Sequence, residues 1–308
     1  MTRDSGLGTR DSSDQRPATS PQPPAPSPEV LSQIADLELV SRIVVEGLVS
    51  GLHRSPFHGY SAEFSQYRHY RPGDDLKYVD WKLVARTDRV YTKQFRETTN
   101  MAATLVLDAS ASMAFPENLS KFRYGVIATA ALAHLISSQG DAVGLVAGDR
   151  VLPPRAGRQN LRGLLAALTA MKASGAWQPA ATVRRAAERM PRSGLLLMLS
   201  DFYDEEEQTF VELRRASRMG HEIVLFQIMS REELELPYGR DVEFTDLETG
   251  RTLAVNAALA RREYTDGVTA FLERCRRRAA VDGFQYSLIV TDTPPERALR
   301  QFLLGRKR

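Results

Sequence analysis

Two apolar runs that each end abruptly in an aspartate constrain this chain more than any other feature. The first, TLVLDASASM from Thr104 to Met113, carries Leu105, Val106 and Leu107 and then Asp108, Ser110 and Ser112. The second, GLLLMLSD, runs from Gly194 to Asp201. Runs without alternating polar residues read as strands buried on both faces, as in a parallel sheet covered by helices on two sides. In such a sheet both carboxyl ends lie on one edge, where open α/β folds place their ligands. Asp108 and Asp201 can therefore face one site. Asp-x-Ser-x-Ser sets one carboxylate beside two hydroxyls, a hard donor set for a divalent cation, and Mg2+ keeps an octahedral shell with positions left for an outside ligand. The same residue types also make turns and caps at strand ends. The acidic run Asp204 to Glu207 would equally suit the first turn of a helix.

The rest of the second half alternates between two periods. Ser120 to Ser138 carries Phe122, Val126, Ile127, Ala130, Leu132, Leu135 and Ile136, so it reads as a helix apolar over much of its circumference and buried against the sheet. His134 within it reads as a core histidine. AVGLVAG from Ala142 and VLPP from Val151 flank a turn at Asp149-Arg150 and read as an edge hairpin. Helices are expected at 160–172, 182–190, 205–219, 257–280 and 294–304, strands at 221–229 and 284–291, and hairpin material around 237–250. About six strands with covering helices make a doubly wound, mostly parallel α/β sheet over residues 100–308.

Upstream, residues 1–28 are rich in Ser, Thr, Pro, Gly and Asp and read as a disordered tail. Val30, Ile34, Leu37, Leu39, Ile43, Val44 and Leu48 recur at helical spacing and open the folded part. Residues 29–99 then form an N-terminal region of helix, turns and short strands, with a turn at Pro72-Gly73 and a strand from Tyr91 to Phe95 leading towards Asp108. Its density of Arg, Asp, Tyr and Trp offers guanidinium, carboxylate and aromatic contacts. Arg68, Arg71 and Trp81 are the candidate partner-binding residues there. An internal salt-bridge net is the competing reading.

Gly59, Glu63 and Phe64, Arg68 and Tyr70, Pro72 to Asp75, Asp80 to Lys82, and Ala85 to Thr87 stand in an order that resembles the signature of the domain of unknown function 58 family. The resemblance implies this signature followed by a von Willebrand factor A-like domain. Asp108, Ser110 and Ser112, with Asp201, resemble the metal-ion-dependent adhesion site of that fold, in which a partner's carboxylate commonly completes the coordination of Mg2+. That pattern also takes a threonine from a loop between two helices. Here the matching position is Ala181, and Thr182 falls one residue late. Because the family resembled is associated with MoxR-type AAA+ ATPases, the resemblance implies a non-enzymatic adaptor. Such an adaptor would engage the ATPase or its client in assembly or maturation of other proteins.

Composition narrows the alternatives. Forty-one Lys and Arg against 38 Asp and Glu leave a net charge of +3, too small to draw nucleic acid by itself. Cys275 is the one cysteine, which excludes an internal disulfide and fits a reducing, cytoplasmic compartment. No apolar run approaches the ~20 residues of a membrane span. His53, His58 and His69 lack the spacing of a zinc site and read as ordinary histidines. The chain has no Walker phosphate loop, no dinucleotide-binding Gly-x-Gly-x-x-Gly and no Gly-x-Ser-x-Gly elbow. Asp108 as a phosphoryl-accepting nucleophile would lack a second acid, because Ser110 stands in that place. A metal-dependent hydrolase or phosphatase is the remaining enzymatic alternative.

Overall fold

A computed structural model describes residues 26–49, 62–71, 74, 79–87, 89–97, 101–191, 193–203, 206–239, 241–247 and 250–305. The expected disordered tail lies outside these residues up to residue 25, as do His53, His58, Gly59, Pro72, Gly73 and Asp75.

In chain order the N-terminal region holds α1 (Pro28–Gln33), α2 (Leu37–Val49), β1 (Ala62–His69), α3 (Trp81–Thr87) and β2 (Tyr91–Glu97). Asp36 caps α2, its Oδ1 accepting from the amides of Glu38 at 2.9 Å and Leu39 at 3.1 Å. The strand expected at Tyr91 pairs antiparallel with β1, His69 opposite Tyr91. The short helix α3 was not legible as a helix; Asp80 starts it by accepting from the amides of Lys82 and Leu83.

There follow β3 (Ala102–Leu107), a 3-10 turn (Ala111–Ala114), α4 (Lys121–Ser138), β4 (Ala142–Ala147), β5 (Arg150–Arg155), α5 (Arg158–Thr169) and α6 (Pro179–Glu188). Next come β6 (Gly194–Ser200), α7 (Glu206–Arg218), β7 (His221–Met229), α8 (Arg231–Glu235) and the hairpin β8 (Asp241–Thr245) with β9 (Thr252–Asn256). The long α9 (Ala257–Val281), β10 (Gln285–Val290) and α10 (Pro295–Gly305) complete the chain order. Helix α6 begins three residues ahead of the expected Thr182, because Pro179 suits the first helical turn.

Six strands form one sheet in the order β10-β7-β6-β3-β4-β5, parallel except for β5. The expected doubly wound α/β sheet is therefore present, with its edge hairpin at β4 and β5. From β3 the chain moves outward to β4 and later returns to add β6 on β3's other side. The carboxyl ends of β3 and β6 thus flank the topological switch point, the place where this architecture opens a crevice.

Side chains alternate across the strands with period two. Ala103, Leu105 and Leu107 join Leu195, Leu197 and Leu199 on one face with α1, α2, α4, α5 and α10. Val106, Leu196 and Met198 meet α6, α7 and α9 on the other. Helix α4 is apolar nearly all round because it lies between the sheet and α2. At Gly125 a Cβ would stand 2.9 Å from Leu107 Cδ1, so glycine lets α4 settle against β3. Ser41 Oγ lies 3.2 Å from Nδ1 of the half-buried His134, and Arg123 donates to the carbonyl of Ile34 at 2.7 Å. His134 is thus an ordinary hydrogen-bonded histidine, and α1 and α2 share the core of the sheet. Among the described residues no helix is long and apolar enough to cross a membrane.

Candidate functional site

Where β3 ends, the ladder continues one residue further, the Asp108 amide donating to Leu199 O at 2.9 Å. Asp108 is 1% exposed, and both its oxygens are engaged. Oδ1 accepts from the Ser110 amide at 2.8 Å, and Oδ2 accepts from the Ser200 hydroxyl at 2.6 Å. Ser110 Oγ and Ser112 Oγ lie 2.9 Å apart, and the Ser112 hydroxyl donates to Asp201 Oδ2 at 3.0 Å. The Asp-x-Ser-x-Ser turn and Asp201 thus belong to one hydrogen-bonded cluster across two neighbouring strands.

Asp201 is fixed from several sides. Its Oδ1 accepts from the Tyr203 amide at 3.2 Å, and its carbonyl accepts from Gln227 Nε2 at 2.8 Å. Gln227, on β7, is itself oriented by the Tyr286 hydroxyl of β10, which donates to Oε1 at 2.7 Å. The chain then turns through Phe202 at φ 62°, a left-handed conformation that disfavours a residue with a Cβ. Strain of this kind is on the order of 1–3 kcal/mol and persists only where surroundings enforce it. Here Phe202 is buried and its amide donates to Ser200 Oγ at 2.9 Å.

A lysine completes the cluster. Lys121, the first residue of α4, is fully buried, its Nζ 2.8 Å from Asp201 Oδ2 and 2.5 Å from Glu233 Oε1. Burial opposes the charge on Lys121, but the carboxylates of Asp201 and Glu233 outweigh it and hold the ammonium above the usual lysine range. Burial first, and the neighbouring Asp201 charge second, push Asp108 up to about 7 against the hydrogen bonds from Ser200 and Ser110. The exposed side of the cluster carries Tyr203, 42% exposed, whose ring lies 5.0 Å from Lys121 Nζ and stacks on Phe271 at 5.3 Å.

The donor set fits a small divalent cation. Two adjacent ligands of octahedral Mg2+ stand about 2.9 Å apart, given metal–oxygen distances of 2.0–2.1 Å. Ser110 Oγ and Ser112 Oγ have that separation, which is also the length of the hydrogen bond between them. Asp201 and Glu233 share the Lys121 ammonium, whereas Asp108 faces the Asp201 charge with hydrogen bonds from Ser200 and Ser110, and a divalent ion between the two aspartates would offset that repulsion. Among the described residues no group of three or more His, Cys, Asp and Glu side chains could hold a metal ion.

Thr182 takes no part in this cluster. It lies inside α6 with its hydroxyl donating to Gln178 O at 2.9 Å and accepting from Arg185 Nη2 at 3.3 Å. The loop ahead of α6 does run beside the Asp108 turn, the Ser174 amide donating to Ala109 O and the Ala111 amide to Gly175 O, both at 2.9 Å. In the N-terminal region Arg68 is committed internally, its Nη2 2.8 Å from Asp74 Oδ1. The Arg71 amide and the Arg68 guanidinium together hold Asp74 below the usual carboxylate range. Trp81 is 63% exposed at the start of α3.

Residue patterns alone missed Lys121, Glu233, Ser200 and Gln227. One signal for Lys121 was present: a cation in the first turn of a helix opposes the helix dipole, and such a residue needs a carboxylate partner. Ser230-x-x-Glu233 likewise has the spacing of a capping box, and both of its hydrogen bonds are formed.

A family model described as "Protein of unknown function DUF58" matches residues 66–273. The uncharacterized protein Rv1480 of Mycobacterium tuberculosis is 29% identical over 244 residues, covering 75% of this chain and 76% of its own. Among solved structures, the conserved hypothetical protein BatB from Bacteroides thetaiotaomicron aligns with a TM-score of 0.46 at 14% identity, over 67% of this chain and 98% of its own. A von Willebrand factor type A protein from Catenulispora acidiphila aligns with a TM-score of 0.36 at 16% identity, over 70% of this chain and 43% of its own. The assignment of the fold rests on the strand order and its switch point.

Proposed function

The chain belongs to the DUF58 family of proteins of unknown function, and from that premise we propose a non-enzymatic binding module that joins partners through a divalent cation at the switch point. The ion, Mg2+, is held by Asp108, Ser110, Ser112 and Asp201, and an acidic side chain of a partner protein fills a remaining position. The partner is a MoxR-type AAA+ ATPase or its client, in the assembly or maturation of other proteins in the cytoplasm. The single observation that carries this reading is the continuous cluster from Asp108 through Ser110 and Ser112 to Asp201. Burial of Asp108 with both oxygens already accepting hydrogen bonds suits a held ligand and not an attacking nucleophile, which favours binding over hydrolysis.

Calorimetric titration of Mg2+ or Mn2+ into the purified chain tests the ion site. Binding is expected in the wild type and loss of it in Asp108→Ala. The absence of divalent-ion binding in the wild type, alone and with a MoxR-type ATPase, would overturn the metal reading. Co-purification with that ATPase is expected in Mg2+ and not in EDTA.

Exposure of Trp81 supports a second reading, a metal-independent contact through Arg68, Arg71 and Trp81. A complex that survives both EDTA and Asp108→Ala but is lost in Trp81→Ala would establish it instead.

A further inference from the structure

The Lys121 ammonium and a divalent ion draw on the same carboxylate. Asp201 Oδ2 accepts from both Ser112 and Lys121, so the oxygen nearest the serine ligands is the one the lysine holds. The lysine also has a second anchor that the ion site does not use. Glu233 binds Lys121 through Oε1, while its Oε2 accepts from the Ser230 amide at 2.9 Å within the capping box of α8. Arg231 beside it is tied to Asp292 Oδ2, which links α8 to the turn after β10. An ion that draws on the charge of Asp201 weakens one of the two lysine pairs and leaves the other intact.

Resting on the metal reading above, we infer that Lys121 is a resident cation that competes with the divalent ion for Asp201, and that Glu233 is the anchor on which it remains when the ion is bound. This competition lowers the ion affinity of the isolated chain and makes stable loading depend on the partner's ligand. The alternative role for the lysine, orienting Asp201 for the ion, predicts a change of the opposite sign on its removal.

Calorimetric titration of Mn2+ into wild type, Lys121→Met and Glu233→Gln tests the inference, with thermal unfolding in EDTA and in MgCl2 as the second readout. Lys121→Met is expected to bind Mn2+ about tenfold or more tightly than the wild type, since one like charge has left the cluster. Its Tm should fall in EDTA, where two carboxylates lose their counter-ion, and recover in MgCl2 to a greater extent than that of the wild type. Glu233→Gln leaves Asp201 as the lysine's one carboxylate among the described residues and should bind Mn2+ several-fold more weakly; this variant serves if Lys121→Met does not fold. Equal or weaker Mn2+ binding by Lys121→Met, or unchanged or tighter binding by Glu233→Gln, overturns the inference while leaving the metal site standing. Absence of Mn2+ binding in all three proteins overturns the metal site as well.

Discussion

Asp108 concentrates the chemistry of the site in one carboxyl group. Its value of about 7 in the folded chain lies above the ordinary value of 3.8, so the folded state holds more protons than the unfolded state between these limits. Stability of the ion-free protein should therefore fall as pH rises through that window, the slope following the difference in bound protons. A divalent ion competes with the same proton, so apparent affinity should rise with pH and level off above the Asp108 value. Mn2+ titrations at about pH 5.5 and about pH 8 check the sign, with tighter binding expected at the higher pH. Equal affinities would remove Asp108 from the ligand set. Asp108, Ser110 and Ser112 were legible because they are nearly contiguous at the end of an apolar run. The partners of Lys121 were not, since they lie 80 and 112 residues further along the chain.

Elements, rather than single residues, decide where these groups meet. The register between β3 and β6 sets Leu107 opposite Leu199, which brings Asp108 level with Ser200 and leaves Asp201 one residue beyond. Apolar periodicity foretold both strands, whereas the start of α6 depended on Pro179 at the first helical position and that of α3 on the cap from Asp80, neither of which apolar spacing records. The β4 and β5 hairpin depends on a glycine for a steric reason. A Cβ on Gly144 would stand 2.7 Å from Leu152 O and 2.8 Å from Pro154 N, both backbone atoms that cannot rotate away. Gly144→Ala should destabilise the protein by about 1–3 kcal/mol. A Tm equal to that of the wild type would show that the hairpin tolerates a wider spacing.

At the scale of the whole molecule, the sheet is covered on both faces, and part of that cover comes from the N-terminal helices. Leu31, Val40, Val44 and Leu48 lie in the same core cluster as Leu105, Ile127 and Leu299. Leu48→Ala should cost about 2–5 kcal/mol and lower the midpoint of a single cooperative transition. A separate early transition for residues 28–49 would show that these helices melt on their own. Sequence by itself determined the sheet, because strands buried on both faces must be apolar throughout, and it determined the two acidic ends, because polar residues can follow such strands only at the rim. Tertiary structure alone decided that an ammonium from α4 and a carboxylate from α8 close the same cluster. A local pattern records which face of an element is buried, but it does not record which distant charge that face will meet.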